Sequence, residues 1–447
     1  MDKVKKLLPL LLALLFLLPG EIHGVGEAAE GELPPNEGAA PLLLDEKGEP
    51  IPPDEIRNQD LLIHTREGIQ QANLKEYNAY QEALAKPNEA LLDAYFIGDF
   101  ASGKELQAHN ADAPHGIASV TKVMTIYVAL DAIAQGKIDW KDPVTVSHKA
   151  AVITGSGYKS KEGDVFTVEE LIHAGLIVSG NDAMIALAEH IAGSEEAYVL
   201  LMRKKAQELG LTSAHFINVH GLTDYTVDDY NRMSPRDIFH MTSSLLREHP
   251  VVLEISSRMT IQEPQRNFLG YNTNPLMGIV PEVDGFKTGY TNAAGRCLVA
   301  TTQRGATRLI FVFLGAQNDM DRYAATRRMV EGALDRYQYQ NLGNPEEPVK
   351  TLHLENASPR ELEIYPAGMG QVLLDGEKEL DYKLELSPIA PPLKEGAKVG
   401  TITYTQDGEA VYTTDLITHK SLRHPNPILR LQEYLARVFR DMEGAMG

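Results

Sequence analysis

Three short polar clusters occur in order along this chain: Ser119-Val-Thr-Lys122, Ser179-Gly-Asn181 and Lys287-Thr-Gly289. A serine hydroxyl is a poor nucleophile until a neighbouring base removes its proton. Positions i and i+3 of a helix share one face, so a helix opening near Ala118 sets the Lys122 amine beside the Ser119 hydroxyl. The other two clusters supply a second hydroxyl, an amide and a second amine. Placed on a loop and on a strand edge, they would close a cleft around the first pair. Each motif alone is weak, since a chain of 447 residues holds Ser-x-x-Lys by chance. Their order, and the elements they fall on, make them a serine-nucleophile arrangement.

The elements that must position these groups are legible in outline. Residues 94–99 and 105–109 flank Ala-Ser-Gly-Lys, a hairpin signal. A helix is expected over 118–136. Thr167-Val-Glu-Glu170 is a capping box that starts a helix running toward Val178. Ser179-Gly-Asn181 then falls in a tight loop before a helix over 183–193. Another helix is expected over 195–209, and Ser234-Pro235 opens one more, because proline is favoured at the first helical position. Strands follow over 283–291, 296–301 and 307–314, and a helix over 320–337. The order predicts an α+β domain over 91–342, with helices packed on a mainly antiparallel sheet. Short alternating runs at 350–354, 361–365, 398–405 and 410–414, with Asp407-Gly408 as a hairpin turn, predict a small all-β domain over 346–419. In 421–447, Ile428, Leu431, Leu435, Val438 and Met442 recur at helical spacing beside Arg430, Arg437 and Arg440. Such a basic amphipathic helix is expected to lie on a membrane surface, the alternative being that it docks on protein.

Composition narrows the classes. With 42 basic and 62 acidic residues the formal charge is -20, which argues against nucleic acid as a partner. The single cysteine, Cys297, allows no internal disulfide, and its run Cys-Leu-Val-Ala reads as buried core. Lys3, Lys5 and Lys6 precede an apolar run over 7–18, then Pro19 and Gly20. This is the layout of a signal peptide over 1–24, so the protein is expected to be exported. Residues 25–60 hold six prolines and only two basic residues among many acids, and read as a disordered acidic linker. A polar helical segment is expected over 61–90, with no assigned role. The 14 histidines include no His-Glu-x-x-His, and neither His215 nor His220 has an acidic partner at ligand spacing, so no metal is expected. No phosphate loop or other cofactor motif occurs, and no cofactor is expected.

The three motifs resemble the set carried by penicillin-binding proteins and serine β-lactamases. Their surroundings, Ala118-Ser-Val-Thr-Lys-Val-Met-Thr125, Val178-Ser-Gly-Asn-Asp-Ala183 and Asp284-Gly-Phe-Lys-Thr-Gly-Tyr-Thr291, are similar to those of the low-molecular-mass D-alanyl-D-alanine carboxypeptidases. So is a small β domain followed by an amphipathic tail. The resemblance covers the chain from about Leu91 onward and implies these roles. Ser119 attacks the carbonyl between the two terminal D-alanines of a peptidoglycan stem peptide, and Lys122 takes its proton. Ser179 relays a proton to the leaving amine. Asn181 holds the substrate backbone, Lys287 and Thr288 meet the terminal carboxylate, and Gly289 admits the substrate to the strand edge. Backbone N–H groups of Ser119 and Tyr290 form the oxyanion hole. Arg322, following a strand that ends near Gly315, helps to bind the carboxylate, unless it merely pairs with Asp319 or Asp321. Tyr290 stands where some relatives carry histidine. Asn218 belongs to a loop near the cleft, as a structural turn or as a catalytic part. β-Lactams are implied as inhibitors that acylate the serine. A β-lactamase would need a deacylating carboxylate between the second and third motifs, where Glu263 and Asp224 lie outside any recognisable motif. A third reading, a scaffold that keeps the fold without turnover, is weakened by the three intact motifs.

Overall fold

The computed structural model describes residues 61–445; in the last helix the side chains of Arg430 and Arg437, among others, lie outside that description. The expected signal segment and acidic linker also lie outside the described residues.

The described chain opens with a hairpin, β1 (Leu62–Thr65) and β2 (Gly68–Gln71), followed by helix α1 (Leu74–Leu84). The segment expected to be helical throughout therefore begins as β-structure. Its β-branched residues, Ile63, Thr65 and Ile69, are too few to show a strand period, and Asn73 then starts α1 with a full capping box.

A five-stranded antiparallel sheet forms the centre of the next domain. Its strands are β3 (Ala94–Asp99), β4 (Glu105–His109), β5 (Val283–Thr291), β6 (Gly295–Arg304) and β7 (Thr307–Ala316), in the spatial order β5-β6-β7-β3-β4. Successive side chains of a strand face opposite ways, and both faces here are covered. Phe96, Cys297, Val299, Ile310 and Val312 join a core with the helices inserted between β4 and β5. Tyr95, Ile97, Leu309, Phe311 and Phe313 face the other way, against the helix that follows β7 and the segment around α1. Cys297 is fully buried and free, and burial pushes its thiol up to about 11.

Between β4 and β5 lie α2 (Thr121–Ala134), α3 (Val168–Ile177), α4 (Asn181–Ala192), α5 (Glu195–Glu208) and α6 (Pro235–Glu248). Eleven of the fourteen residues of α2 are buried, so it is the hydrophobic axis of this layer, a helix apolar nearly all round. Thr167 and Glu170 close the capping box of α3, and Ser234 caps α6 with Pro235 in its first turn. After β7, α7 (Asp319–Arg336) covers the second face of the sheet.

The sequence places the end of that helix at Tyr337 and the end of the catalytic domain at residue 342; the helix stops at Arg336, and Tyr337–Leu342 joins the following β-structure. It is a strand paired with Gly370–Asp375. The aromatic and polar run Tyr-Gln-Tyr-Gln has the period of a strand, not of a helix. A second antiparallel sheet follows in the order Lys350–His353, Glu361–Pro366, Glu409–Thr418, Lys398–Gln406, Leu380–Leu386, around Leu362, Ile364, Ile402 and Leu416. Asp407 and Gly408 take φ of 51° and 79°, the positive values their two-residue turn requires. Helix α8 (Pro427–Ala445) closes the described chain.

Candidate active site

Ser119 sits in a short 3₁₀ turn, Ala118–Val120, that runs directly into α2. Ala118 has φ +44°, a left-handed conformation that a residue with a Cβ adopts only under constraint. Two glycines supply the constraint. A Cβ on Gly221 would lie 1.9 Å from the Ala118 carbonyl oxygen, and one on Gly289 would lie 2.8 Å from the Ile117 oxygen and 3.0 Å from the Ser119 nitrogen. Gly289 was expected to serve the approach of a substrate backbone. In the structure, what needs its missing side chain is the Ala118–Val120 turn packed against β5.

Lys122 is fully buried one turn along, with Nζ 2.8 Å from Ser119 Oγ, 2.7 Å from Asn181 Oδ1 and 2.7 Å from the His220 carbonyl oxygen. Burial pulls its amine far below the usual lysine range; the Lys287 charge lowers it further, and Asp182 opposes both. A neutral amine has two protons and one lone pair. The protons satisfy the two carbonyl-type oxygens, and the lone pair is left to accept from the Ser119 hydroxyl, the geometry of a general base.

Asn181 opens α4 and is engaged at both ends of its amide, since Nδ2 donates to the Thr154 carbonyl at 2.8 Å. In this structure it orients Lys122. The His220 carbonyl is presented by a turn that Asn218 ties together: Asn218 Oδ1 accepts from the Gly221 N–H at 2.7 Å and Nδ2 donates to Leu222 O at 2.8 Å. Of the two readings of Asn218, the structural turn is therefore the one its contacts support. The fold also gives His215 and His220 acidic neighbours that sequence spacing did not suggest, Asp229 at 3.0 Å and Glu195 at 3.4 Å. The His220 ring is buried and held down to about 3, chiefly by burial and then by the neighbouring Lys122 and Lys149.

Ser179, with φ +61°, turns its hydroxyl toward the same centre, and Lys287 Nζ donates to it at 2.9 Å and to Thr288 O at 2.9 Å. Lys287 is buried, which brings it down to about 7. Thr288 Oγ1 lies 2.6 Å from Thr273 Oγ1. Arg322 is 11% exposed, close to the surface pairing weighed for it, since one guanidinium nitrogen donates to Asp319 at 2.8 Å. Its Nε, however, is buried without a partner, and the side chain lines the same cleft as Ser119. That cleft measures about 620 Å³, and Ser119, Ser179, Asn181, Thr288, Gly289, Tyr290 and Arg322 all line it. The structure thus brings together the nine residues given catalytic or substrate-binding roles, with Lys122 and Lys287 buried behind the surface residues.

The family model for D-alanyl-D-alanine carboxypeptidases matches residues 81–318. A model of the penicillin-binding protein 5 C-terminal domain matches 337–423. The D-alanyl-D-alanine carboxypeptidase DacF of Bacillus subtilis (strain 168) is 32% identical over 328 residues, 72% of this chain and 83% of that one. The chain belongs to the D-alanyl-D-alanine carboxypeptidase family. It is an enzyme of the serine D-Ala-D-Ala carboxypeptidase class. The carboxypeptidase DacC of Escherichia coli (strain K12) is 31% identical, covering 79% of this chain and 89% of the relative. Penicillin-binding protein 5 from Haemophilus influenzae superposes with a TM-score of 0.56 at 27% identity, over 75% of this chain and 98% of that one. These likenesses span the catalytic α+β domain and the β domain after it.

Three parts of the carboxypeptidase site escaped the sequence. Arg296, on β6, lies with its guanidinium 3.6 Å from the centre of the Tyr290 ring and pairs with Asp319 at 3.1 Å, so Asp319 bridges two cations at the cleft. Asp182 accepts from the backbone N–H groups of Tyr158 and Ser160 and fixes the loop behind Lys122. The His220 carbonyl is a backbone group, and residue type does not reveal it. Neither Glu263 nor Asp224 lines the cleft; Glu263 pairs with Arg266 and Asp224 accepts from Thr226. The acids that do line it, Glu76 and Asp319, are engaged with the Asn73 N–H and with the two arginines. No acid positioned like a β-lactamase base stands beside Ser119 among the described residues.

The two-lysine arrangement has a consequence for pH. The Lys287 charge disfavours protonation of Lys122, so removing it raises the Lys122 pKa. In Lys287→Met the acid limb of the pH profile for acylation by penicillin is expected to move to higher pH, beyond the overall loss of rate. An unmoved acid limb would mean that the two amines are not coupled.

Proposed function

We propose that this carboxypeptidase is exported and removes the terminal D-alanine from peptidoglycan stem pentapeptides through an acyl-enzyme on Ser119, and that β-lactams acylate the same serine. The observation that carries this reading is the 2.8 Å contact between Ser119 Oγ and a buried Lys122 amine. In the first step Ser119 Oγ bonds to the carbonyl carbon of the penultimate D-alanine while its proton passes to Lys122. The negative charge that develops on the carbonyl oxygen faces the Ser119 and Tyr290 N–H groups. The C–N bond then breaks, and the leaving amine takes a proton along the Lys122, Ser179 and Lys287 side of the cleft. Thr288 and Arg322 hold the carboxylate of the departing residue; a charge-assisted hydrogen bond of this kind contributes about 1.5–3 kcal/mol. In the second step water attacks the ester, Lys122 again takes the proton, and the Ser119 hydroxyl is restored. Trapping with labelled penicillin and mapping the adduct by peptide mass tests the reading: the label belongs on Ser119, and an adduct on another residue would refute it.

Export rests on the amino-terminal order of basic and then apolar residues. The carboxyl-terminal helix supports attachment to the outer face of the cytoplasmic membrane. Ile428, Leu431, Leu435, Phe439 and Met442 are all more than two-fifths exposed along α8. No helix among the described residues is long and apolar enough to cross a bilayer, so contact would be in-plane. Each basic residue near an anionic surface contributes about 1 kcal/mol, and the apolar stripe supplies the rest. Truncation before Pro425 is expected to leave hydrolysis of a soluble peptide unchanged and to move the enzyme from the membrane fraction to the soluble one. Continued sedimentation with membranes would exclude the tail as the anchor.

A further inference from the structure

The β1–β2 hairpin ends before the family match begins at residue 81, yet it forms part of the catalytic cleft. Its placement is well anchored. Leu61 and Ile63 are buried in the same apolar cluster as Leu276, Met277 and Val280. Tyr323 Oη donates to the Leu62 carbonyl at 2.6 Å, and Ile69 lies against Gly278, where a Cβ would fall 2.7 Å from its Cδ1. At the tip, Thr65 Oγ1 donates to Gly68 O at 3.0 Å and accepts from the Glu67 N–H at 3.2 Å.

These anchors sit at one end of the cleft. Tyr323 adjoins Arg322 on α7. Leu276 and Gly278 follow the loop whose Thr273 hydroxyl meets Thr288. The hairpin is thus pinned to α7, which carries Arg322, and to the 276–280 segment, which follows the loop that meets Thr288, and there Ile63, His64, Thr65 and Arg66 line the cleft. His64 is 93% buried by its 7% exposure, and its Nε2 has no hydrogen-bond partner. Leaving such an atom unpaired costs stability, which is consistent with a side chain placed for the cleft and not for the core.

We propose that this hairpin is a specificity wall at the leaving-group end of the cleft, restricting the departing residue to a small D-amino acid that ends in a free carboxylate. The inference rests on the reading that Thr288 and Arg322 hold the terminal carboxylate. Given that placement, a larger side chain on the departing residue, or further chain beyond it, runs into His64 and Arg66. A terminal D-alanine stops short of them. The wall therefore favours trimming of a terminal residue over cleavage of a cross-link, whose departing group is larger.

The test compares two peptides identical except for the departing residue, one ending D-Ala-D-Ala and one ending D-Ala-D-Leu, with the full-length enzyme and with a His64→Ala/Arg66→Ala double variant. The wild type is expected to prefer the first. The variant should hydrolyse the D-Leu peptide at least about tenfold faster than the wild type does, the scale on which a pocket discriminates by a few methylenes. Its rate on the D-Ala peptide should stay within about threefold, well under one such discrimination step. Arg66 lies at an exposed tip, so Arg66→Ala alone is the check should the double variant fold poorly, with a partial rise on the D-Leu peptide expected. Equal rates of the wild type on both peptides, or an unchanged ratio in the variants, would overturn the wall while leaving the carboxypeptidase reading intact. A wild type that takes up penicillin at Ser119 but releases no D-alanine would overturn the carboxylate placement, and the wall with it.

Discussion

Replacing Ser119 by alanine is expected to abolish both labelling by penicillin and release of D-alanine, with folding unchanged. The hydroxyl is partly exposed in a turn whose conformation is set by Ala118, Gly221 and Gly289, not by the serine side chain. Its loss therefore removes the bond-forming atom and little else. Nucleophile deletions in enzymes that act through a covalent intermediate cost about 10⁴-fold or more, so residual turnover should fall to the background of the assay. Thermal denaturation should be nearly unmoved. Retention of even a tenth of the wild-type rate would place the nucleophile elsewhere.

The second large effect concerns Lys122. Lys122→Arg places a permanent cation at the position, one that cannot give up its proton in a useful range. General-base contributions run to about 10²–10⁴-fold, and acylation should fall by that order. The Asn181 and His220 oxygens can still accept from a guanidinium, so partners remain for the new group. Its obligatory charge does enter a fully buried site beside Lys287, however, and some stability should be lost. Lys122→Met separates the two effects: it removes the base without bringing in a charge, and the same fall in acylation is expected without the charge penalty. Near-normal acylation by either variant, measured as the second-order rate with penicillin, would show that the base is another group.

What was legible in the sequence, and what was not, follows from how local each determinant is. The Ser119–Lys122 pair is an i, i+3 relation across one turn, from the 3₁₀ turn into α2, and the caps at Thr167 and Ser234 are fixed by three or four consecutive residues. Each of these stood in the sequence as it stands in the fold. The central strands could be placed because their apolar runs are long. The strand Leu380–Leu386 could have been found from the alternation Leu380, Tyr382, Leu384, Leu386, but it lies at a sheet edge, mostly exposed, and a turn-rich neighbourhood hid it. Hairpin β1–β2 was read as helix because four-residue strands carry almost no period, and what holds them is packing against residues some two hundred positions away. Arg296 looked like a strand residue beside a core cysteine; only the approach of α7 brings Asp319 to it. The His220 carbonyl, which completes the three contacts of Lys122, is invisible to any argument from side-chain type.

The most direct measurement is product analysis. The enzyme is incubated with a stem pentapeptide ending in D-Ala-D-Ala, and the mixture is followed by mass spectrometry. The account predicts the loss of one alanine from the peptide, one free D-alanine per turnover, and a transient protein adduct of the remaining tetrapeptide on Ser119. An unchanged pentapeptide, a cut at any other bond, or D-alanine released with Ser119 replaced by alanine would contradict it.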